Sequence, residues 1–389
     1  ALLGAFIYAE LAARRPHVGG QYAYIREAYH PSVAFIYGWT LLLVTQTGGM
    51  AAVAVTFARY YLEFTHSRVP DALVAALALG VLTIINCLGV RAGSGVQSTL
   101  MVLKILAIVA LIACGLFFAS APATAEPSSG LLDRPASFDL LTAVGAAMVP
   151  VLFAYGGWQT ASFVAGEMRE PQRDLPRGLI IGVIGVVALY LAVNFVCVRV
   201  LGTAGLAATT TPASDVMRAA LGGTGAKLIA AGIAISTLGF LSQGMLTAPR
   251  VYYAMADDGL FFRRVGWLHP QTRVPVVAIA LQGVWAMVIA LSGSYEKILS
   301  YVISLDFLFF GLTATCLFAL RRRDTAQNPS TSSAFRVPGH PFTTIAFVVA
   351  SWLVVLNTFY KYWESARFGL LFLLSGIPAY FYWSRRKSR

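Results

Sequence analysis

Phe153-Ala154-Tyr155-Gly156-Gly157-Trp158-Gln159 sits in the middle of an apolar run that begins near Leu140 and ends near the charged Glu167. Two adjacent glycines cost a helix about 1 kcal/mol each, and Pro150, three residues before Phe153, is expected to add a break of its own. A helix interrupted inside a bilayer presents free carbonyls at one half-end and free N–H groups at the other, where unpaired polar groups are expensive. A zwitterion completes such bonds, with carbonyls on its ammonium and N–H groups with the positive dipole end on its carboxylate. The same glycines are equally compatible with close packing of small residues between helices.

The rest of the chain places this run in a membrane. Of 389 residues, 58% are hydrophobic and 12% charged, and the mean hydropathy is +0.70. Soluble domains carry about 25% charged residues, so lipid is the expected solvent. A bilayer core about 30 Å thick takes about 20 apolar residues as a helix. A partial span is expected at residues 1–14, with full spans at about 34–62, 71–90, 96–119, 139–166, 177–201 and 226–255. Four more follow at about 275–293, 297–320, 341–360 and 365–384, which makes about eleven helices in a single transmembrane domain, 1–389.

Charge sets the orientation. If the loop after the partial span is cytoplasmic, nineteen of the 29 Lys and Arg residues are inside, including Arg14, Arg15, Arg26, Arg91 and the tail after Trp383. Nine, including Arg59, Arg134 and Arg218, are outside. The C-terminus is therefore expected in the cytoplasm. The net charge of +12 is spread in short tufts between apolar runs, not on one face, so no nucleic-acid partner is expected. Cys87, Cys114, Cys197 and Cys316 lie in apolar runs without metal-ligand spacing, and His17, His30, His66, His269 and His340 are scattered. Neither a metal site, a catalytic cluster nor a cofactor is expected, and an integral membrane enzyme is disfavoured.

Other charges break the apolar rule. Lys104 lies eight residues into its span, about 12 Å from the cytoplasmic end at 1.5 Å per residue. It either faces a cavity as a fixed substitute for a coupling cation or snorkels to the interface. Asp306 reads as a proton-linked group, a pocket charge or a solvated residue in an outer vestibule. Glu10 is expected to pair with Arg14 or Arg15. Ser236, Thr237, Ser242 and Gln243 are expected mainly as hydrogen-bonding glue between helices, with Ser236 and Thr237 also candidates for a site wall. The loops from Glu167 to Arg177 and from Arg250 to Gly259 read as structural cytoplasmic connections or parts of an inner gate.

Together these segments resemble the amino acid/polyamine/organocation permeases, especially the sodium-independent L-type amino acid exchanger branch. The resemblance rests on Tyr8-Ala9-Glu10-Leu11, Gly19-Gly20-Gln21-Tyr22, Gly38-Trp39, FAYGGWQT followed by GEMREPQRDLPRG, and TAPRVYYAMADDGLF, in that order. It implies an all-α LeuT-like fold, a five-plus-five inverted repeat with two extra C-terminal helices. The partial span would be span two, the runs 34–119 spans three to five, 139–320 spans six to ten, and 341–384 spans eleven and twelve. It further implies that carbonyls around Phe153, Ala154 and Gly156 receive the substrate ammonium, within a substrate-binding stretch that includes Tyr155 and Gly157. Phe153 would act as an aromatic lid, and Trp158 and Gln159 would border the side-chain pocket. Lys104 would stand where sodium sits in relatives. The implied activity is secondary transport of an amino acid, by exchange or proton coupling, in the inner membrane of a bacterium. A transport-inactive sensor on the same fold and a polyamine or organic-cation exchanger are the alternatives.

The resemblance also implies a first span with a glycine-rich break, which nothing in the sequence matches. Spans six and eight begin near Leu140 and Ala226, 86 residues apart. Transferring that spacing to span three, near Ala34, puts span one about 50 residues before Ala1, so roughly 40–60 residues are expected upstream. Half a binding site, and no transport, is the expectation for residues 1–389 alone.

Overall fold

The computed structural model describes residues 1–16, 19–89, 94–120, 137–292, 295–327 and 335–387. His17, Arg91 and Arg134, named above, lie outside the described residues. Among the described residues there is no strand. The helices are α1 (Leu2–Arg14), α2 (Gln21–Ala28), α3 (Pro31–Thr40), α4 (Gln46–Thr65), α5 (Asp71–Cys87), α6 (Ser94–Phe117) and α7 (Phe138–Ala154). They continue with α8 (Pro171–Ala208), α9 (Pro212–Thr247), α10 (Pro249–Asp257), α11 (Val276–Ser292), α12 (Tyr295–Gln327), α13 (Phe342–Lys361) and α14 (Trp363–Lys387).

Several of these helices start on proline. Pro31, Pro171, Pro212 and Pro249 open α3, α8, α9 and α10, where the missing N–H costs nothing because the first helical amides have no partner anyway. Among the described residues five helical stretches are long and apolar enough to cross a membrane, and six if α7 and the helix after it are one bent span. The protein is therefore a multi-pass membrane protein. The eleven expected from the apolar runs exceed this number in part because three apolar helical stretches, Asp71–Cys87, Met101–Phe117 and Val276–Ser292, are shorter.

Burial sorts the helices. The window within Pro31–Thr65 is 72% buried and that within Ile298–Ala326 is 61% buried, whereas that within Pro171–Ala208 is only 17% buried. The stretch Pro31–Thr65 and α12 thus lie in the interior. The outward faces of α8, α5 and α13 carry exposed Ile181, Leu191, Phe195, Leu77, Ile84 and Leu356, as lipid contact requires.

Three features have no counterpart in the sequence reading. A π-helical turn, Leu41–Thr45, joins α3 to α4. The short helix α2 links α1 to α3. The stretch between the spans 177–201 and 226–255 is helical, because α8 and α9 continue past Gly202 (φ 67°) and Gly222 (φ 70°) into a hairpin of two short arms.

Candidate functional site

Helix α7 passes through Pro150 without interruption and ends at Ala154, which corrects the expectation of a break at the proline. Loss of one N–H and one ladder bond is tolerated inside a bundle. The break comes at the glycines. The Tyr155 N–H donates to Val151 O at 3.0 Å and the Gly156 N–H to Phe153 O at 2.9 Å, and there the ladder stops. Gly157 takes φ 89°, ψ −18°, a conformation that suits glycine. A 3₁₀ helix, Trp158–Glu167, then leaves at a bend of 43°. No helical hydrogen bond spans Gly156 and Gly157, so the Ala154, Tyr155 and Gly156 carbonyls and the Gly157, Trp158 and Gln159 amides lie outside the ladder.

The lower half is held by α1, α2 and α12. The Trp158 ring meets Tyr8 edge-on at 4.9 Å and Phe310 at 5.6 Å. Gly4 allows this approach, since a Cβ there would lie 2.6 Å from the indole. The Gly19 N–H donates to Phe163 O at 3.2 Å. Gly20 (φ 47°) presses on Ser162 so closely that an added Cβ would fall 2.8 Å from its backbone carbon. The upper half meets the interior through Phe153, whose ring lies 3.8 Å from where a Gly49 Cβ would stand on α4.

Two cavities flank the break. One, of about 820 Å³, runs between α7 and α13 and is lined by Leu152, Tyr155, Gly156, Trp158, Phe307 and Phe310, among other mostly apolar residues. The other, of about 520 Å³, lies between the break and α8 and is lined by Ala154 through Trp158, Thr160, Tyr190, Gln243 and Asp174. Both reach Ala1. A zwitterion placed in either meets bare peptide groups and aromatic rings, an arrangement suited to binding.

The sequence pattern of the family described as amino acid permease matches residues 1–371. The chain belongs to that family. It is 28% identical over 395 residues to the serine/threonine exchanger SteT of Bacillus subtilis (strain 168), covering 100% of this chain and 86% of that one. It is 27% identical to the mouse (Mus musculus) b(0,+)-type amino acid transporter 1, over 100% of this chain and 80% of the relative. To the human (Homo sapiens) large neutral amino acids transporter small subunit 2 it is 26% identical, over 99% and 72%.

In this amino acid permease the break does not gather every residue singled out from the sequence. Tyr155, Gly156 and Trp158 line both cavities, Ala154 and Gly157 only the smaller, and Phe153 and Gln159 neither. Gln159 is buried with its Oε1 unpartnered. Lys104 is half-buried on α6, lines neither cavity and has no ion pair among the described residues. Thr237 bonds back to Ile233 O and Ala234 O of its own helix at 3.0 and 2.8 Å, and neither it nor Ser236 reaches a cavity. Ser242 does join helices, meeting Asn86 of α5 at 3.3 Å. Asp306 pairs with the Thr45 hydroxyl, away from both cavities. No cluster that could hold a metal ion occurs among the described residues.

The permease's Glu10 pairs with Arg14 as expected, at 2.7 Å, and also with Arg321 of α12 at 2.5 Å and the Val337 N–H at 2.7 Å. Asp324 joins Arg14 and Arg15, both at 2.6 Å, and Arg15 reaches Glu27 at 2.5 Å. On the same face Asp258 pairs with Arg26 and accepts from the Tyr22 hydroxyl at 2.7 Å. Burial first, then the Asp258 carboxylate, pushes the Tyr22 phenol far above its ordinary range. Arg321 and Asp324 are more than 300 positions from their partners, which the sequence alone had no means of pairing.

Proposed function

We propose that the protein is a secondary active amino acid transporter of the bacterial inner membrane, sodium-independent, which binds its substrate's ammonium and carboxylate on the unwound backbone between Ala154 and Gln159. The observation that carries the reading is the glycine-broken helix opening on two cavities, in a chain of the amino acid permease family. Phe153 acts as an aromatic lid. Lys104 supplies the fixed positive charge that replaces a coupling cation.

The fine architecture proposed is the five-plus-five inverted repeat. Supporting it, the helices that would be equivalent in the two halves pack on each other: α1 on α8, α4 on α9 and α5 on α11. The short helix α2 between α1 and α3 has its counterpart in the hairpin between α8 and α9. A cytoplasmic C-terminus is favoured by the arginine web at the α1 and α12 ends, because cationic loops stay inside.

The test is reconstitution of the full-length gene product in liposomes preloaded with unlabelled amino acids, followed by uptake of labelled serine. Competition by each of the twenty amino acids then maps the substrate. Saturable exchange supports transport. Binding without flux would make the protein a sensor on the same fold and end this reading.

A further inference from the structure

The third span and α12 enclose polar groups that substrate binding leaves unused. Two carbonyls of the π-turn Leu41–Thr45 take side-chain donors: Thr47 Oγ1 donates to Leu42 O at 2.8 Å and Trp285 Nε1 to Leu43 O at 2.8 Å. The turn is therefore a fixed element, of a kind common at functional positions. Its last residue, Thr45, holds the Asp306 carboxyl of α12.

No counter-charge accompanies that carboxyl. Among the described residues no Lys or Arg of α4, α7, α13 or α14 pairs with it, and the titratable group facing it is Tyr37 of α3, with Tyr252 of α10 beyond. A carboxylate inside a bilayer without a cation pays for its lost hydration, and a proton removes the charge.

From Asp306 a file of buried polar groups leads inward. The Tyr37 hydroxyl donates to Gln21 Oε1 at 3.0 Å, and Gln21 Nε2 donates to Thr313 Oγ1 at 3.0 Å. Thr313 stands two turns along α12, about 10 Å nearer the cytoplasm. Beside this file Tyr252 and Thr40 are fully buried with hydroxyls that have no hydrogen-bond partner among the described residues. Buried hydroxyls are ordinarily satisfied, and in polar interiors the missing partner is water.

We infer that Asp306 is a proton-binding site, reached from the cytoplasmic side along Tyr37, Gln21 and Thr313 with water on the orphan hydroxyls, and that its protonation is linked to amino acid movement. The inference rests on the transport reading above. The carboxylate takes one proton from water on one side of the membrane, becomes neutral, and returns it to water on the other; nothing else is consumed.

The experiment compares wild type with Asp306→Asn in proteoliposomes, in two assays. One is serine–serine exchange at equal pH; the other is net serine uptake under an inward proton gradient, with lumenal pyranine reading proton entry. One pH unit supports at most about tenfold accumulation for one coupled proton. Wild type is expected to accumulate serine toward that limit with matching acidification, and Asp306→Asn to keep exchange while losing both responses.

Equal gradient-driven accumulation in the variant overturns the inference. So does robust wild-type exchange with no response to the gradient. If wild type moves none of the twenty amino acids, transport fails first and this inference with it. Should Asp306→Asn not assemble, Thr45→Val serves: a shifted half-maximal pH of uptake supports the site, and an unshifted one overturns it.

Discussion

Gly156 and Gly157 serve the break differently. Gly157 needs its positive φ, so Gly157→Ala is expected to cost about 1–2 kcal/mol of local strain. Gly156 has an ordinary φ, but an added Cβ would stand 3.1 Å from Phe153 O, so Gly156→Leu is expected to fill the break and weaken serine binding at least about tenfold, roughly 1.4 kcal/mol. Isothermal titration of the full-length protein decides, and unchanged affinity would assign the glycines to packing alone. Glu10, with 0% exposure, offers a stability test. Glu10→Ala leaves Arg14 with Asp324 alone and takes from Arg321 and the Val337 N–H the carboxylate that holds them, and is expected to lower stability by about 3 kcal/mol. Arg173→Ala, which breaks the exposed pair with Glu170, is expected to cost under about 1 kcal/mol. Thermal melts in detergent give the comparison, and equal losses would remove the special standing of Glu10. His340 adds a pH effect: burial, then Arg321, lowers its imidazole below 6.5. The unfolded chain binds that proton more readily, so stability falls as pH drops below 6.5, and His340→Asn should flatten that slope.

The elements were legible in the sequence wherever one residue type decides them. The apolar runs gave helices, the prolines at 31, 171, 212 and 249 mark helix starts, and the glycine pair marks the broken span. The π-turn was not legible, because Leu41–Thr45 has the composition of any buried helix and the bulge is stabilised by Trp285, some 240 residues away. The break was legible as backbone, whereas the orientation of its side chains was not. Phe153 and Gln159 point elsewhere than the cavities, since rotation within a broken helix is set by Gly49, Tyr8 and Phe310 and not by spacing. The hairpin, residues 203–221, falls between two expected spans, although Thr211-Pro212 with Asp215 is a helix-start signal. It is tied to α4 by Arg218, which pairs with Glu63 and Asp215. Arg218→Ala should release it, raising amide hydrogen exchange across 203–221 by a few-fold, as expected for an exposed pair of about 0.5–1 kcal/mol. Unchanged exchange would mean that the glycine-bounded arms are held by apolar packing.

At the scale of the molecule, the break, Lys104 and the charge web around Glu10 stand on different helices. Lys104→Ala is expected to abolish or strongly reduce serine uptake while leaving membrane insertion intact, measured by flux and by size-exclusion profile. Wild-type flux in that variant would end its proposed role. The web has a consequence for how the chain is made. Glu10 is synthesised among the first residues described, yet its partners Arg321 and the Val337 amide come 311 and 327 positions later. At ribosomal speeds of about 5–20 residues per second, that delay is roughly 15–60 s. During it the carboxylate has Arg14 alone, so α1 reaches its final bonding only when α12 and the Val337 that follows it are translated. Nascent chains cut short before Arg321 should consequently be cleared by quality-control proteases, however well their individual helices insert.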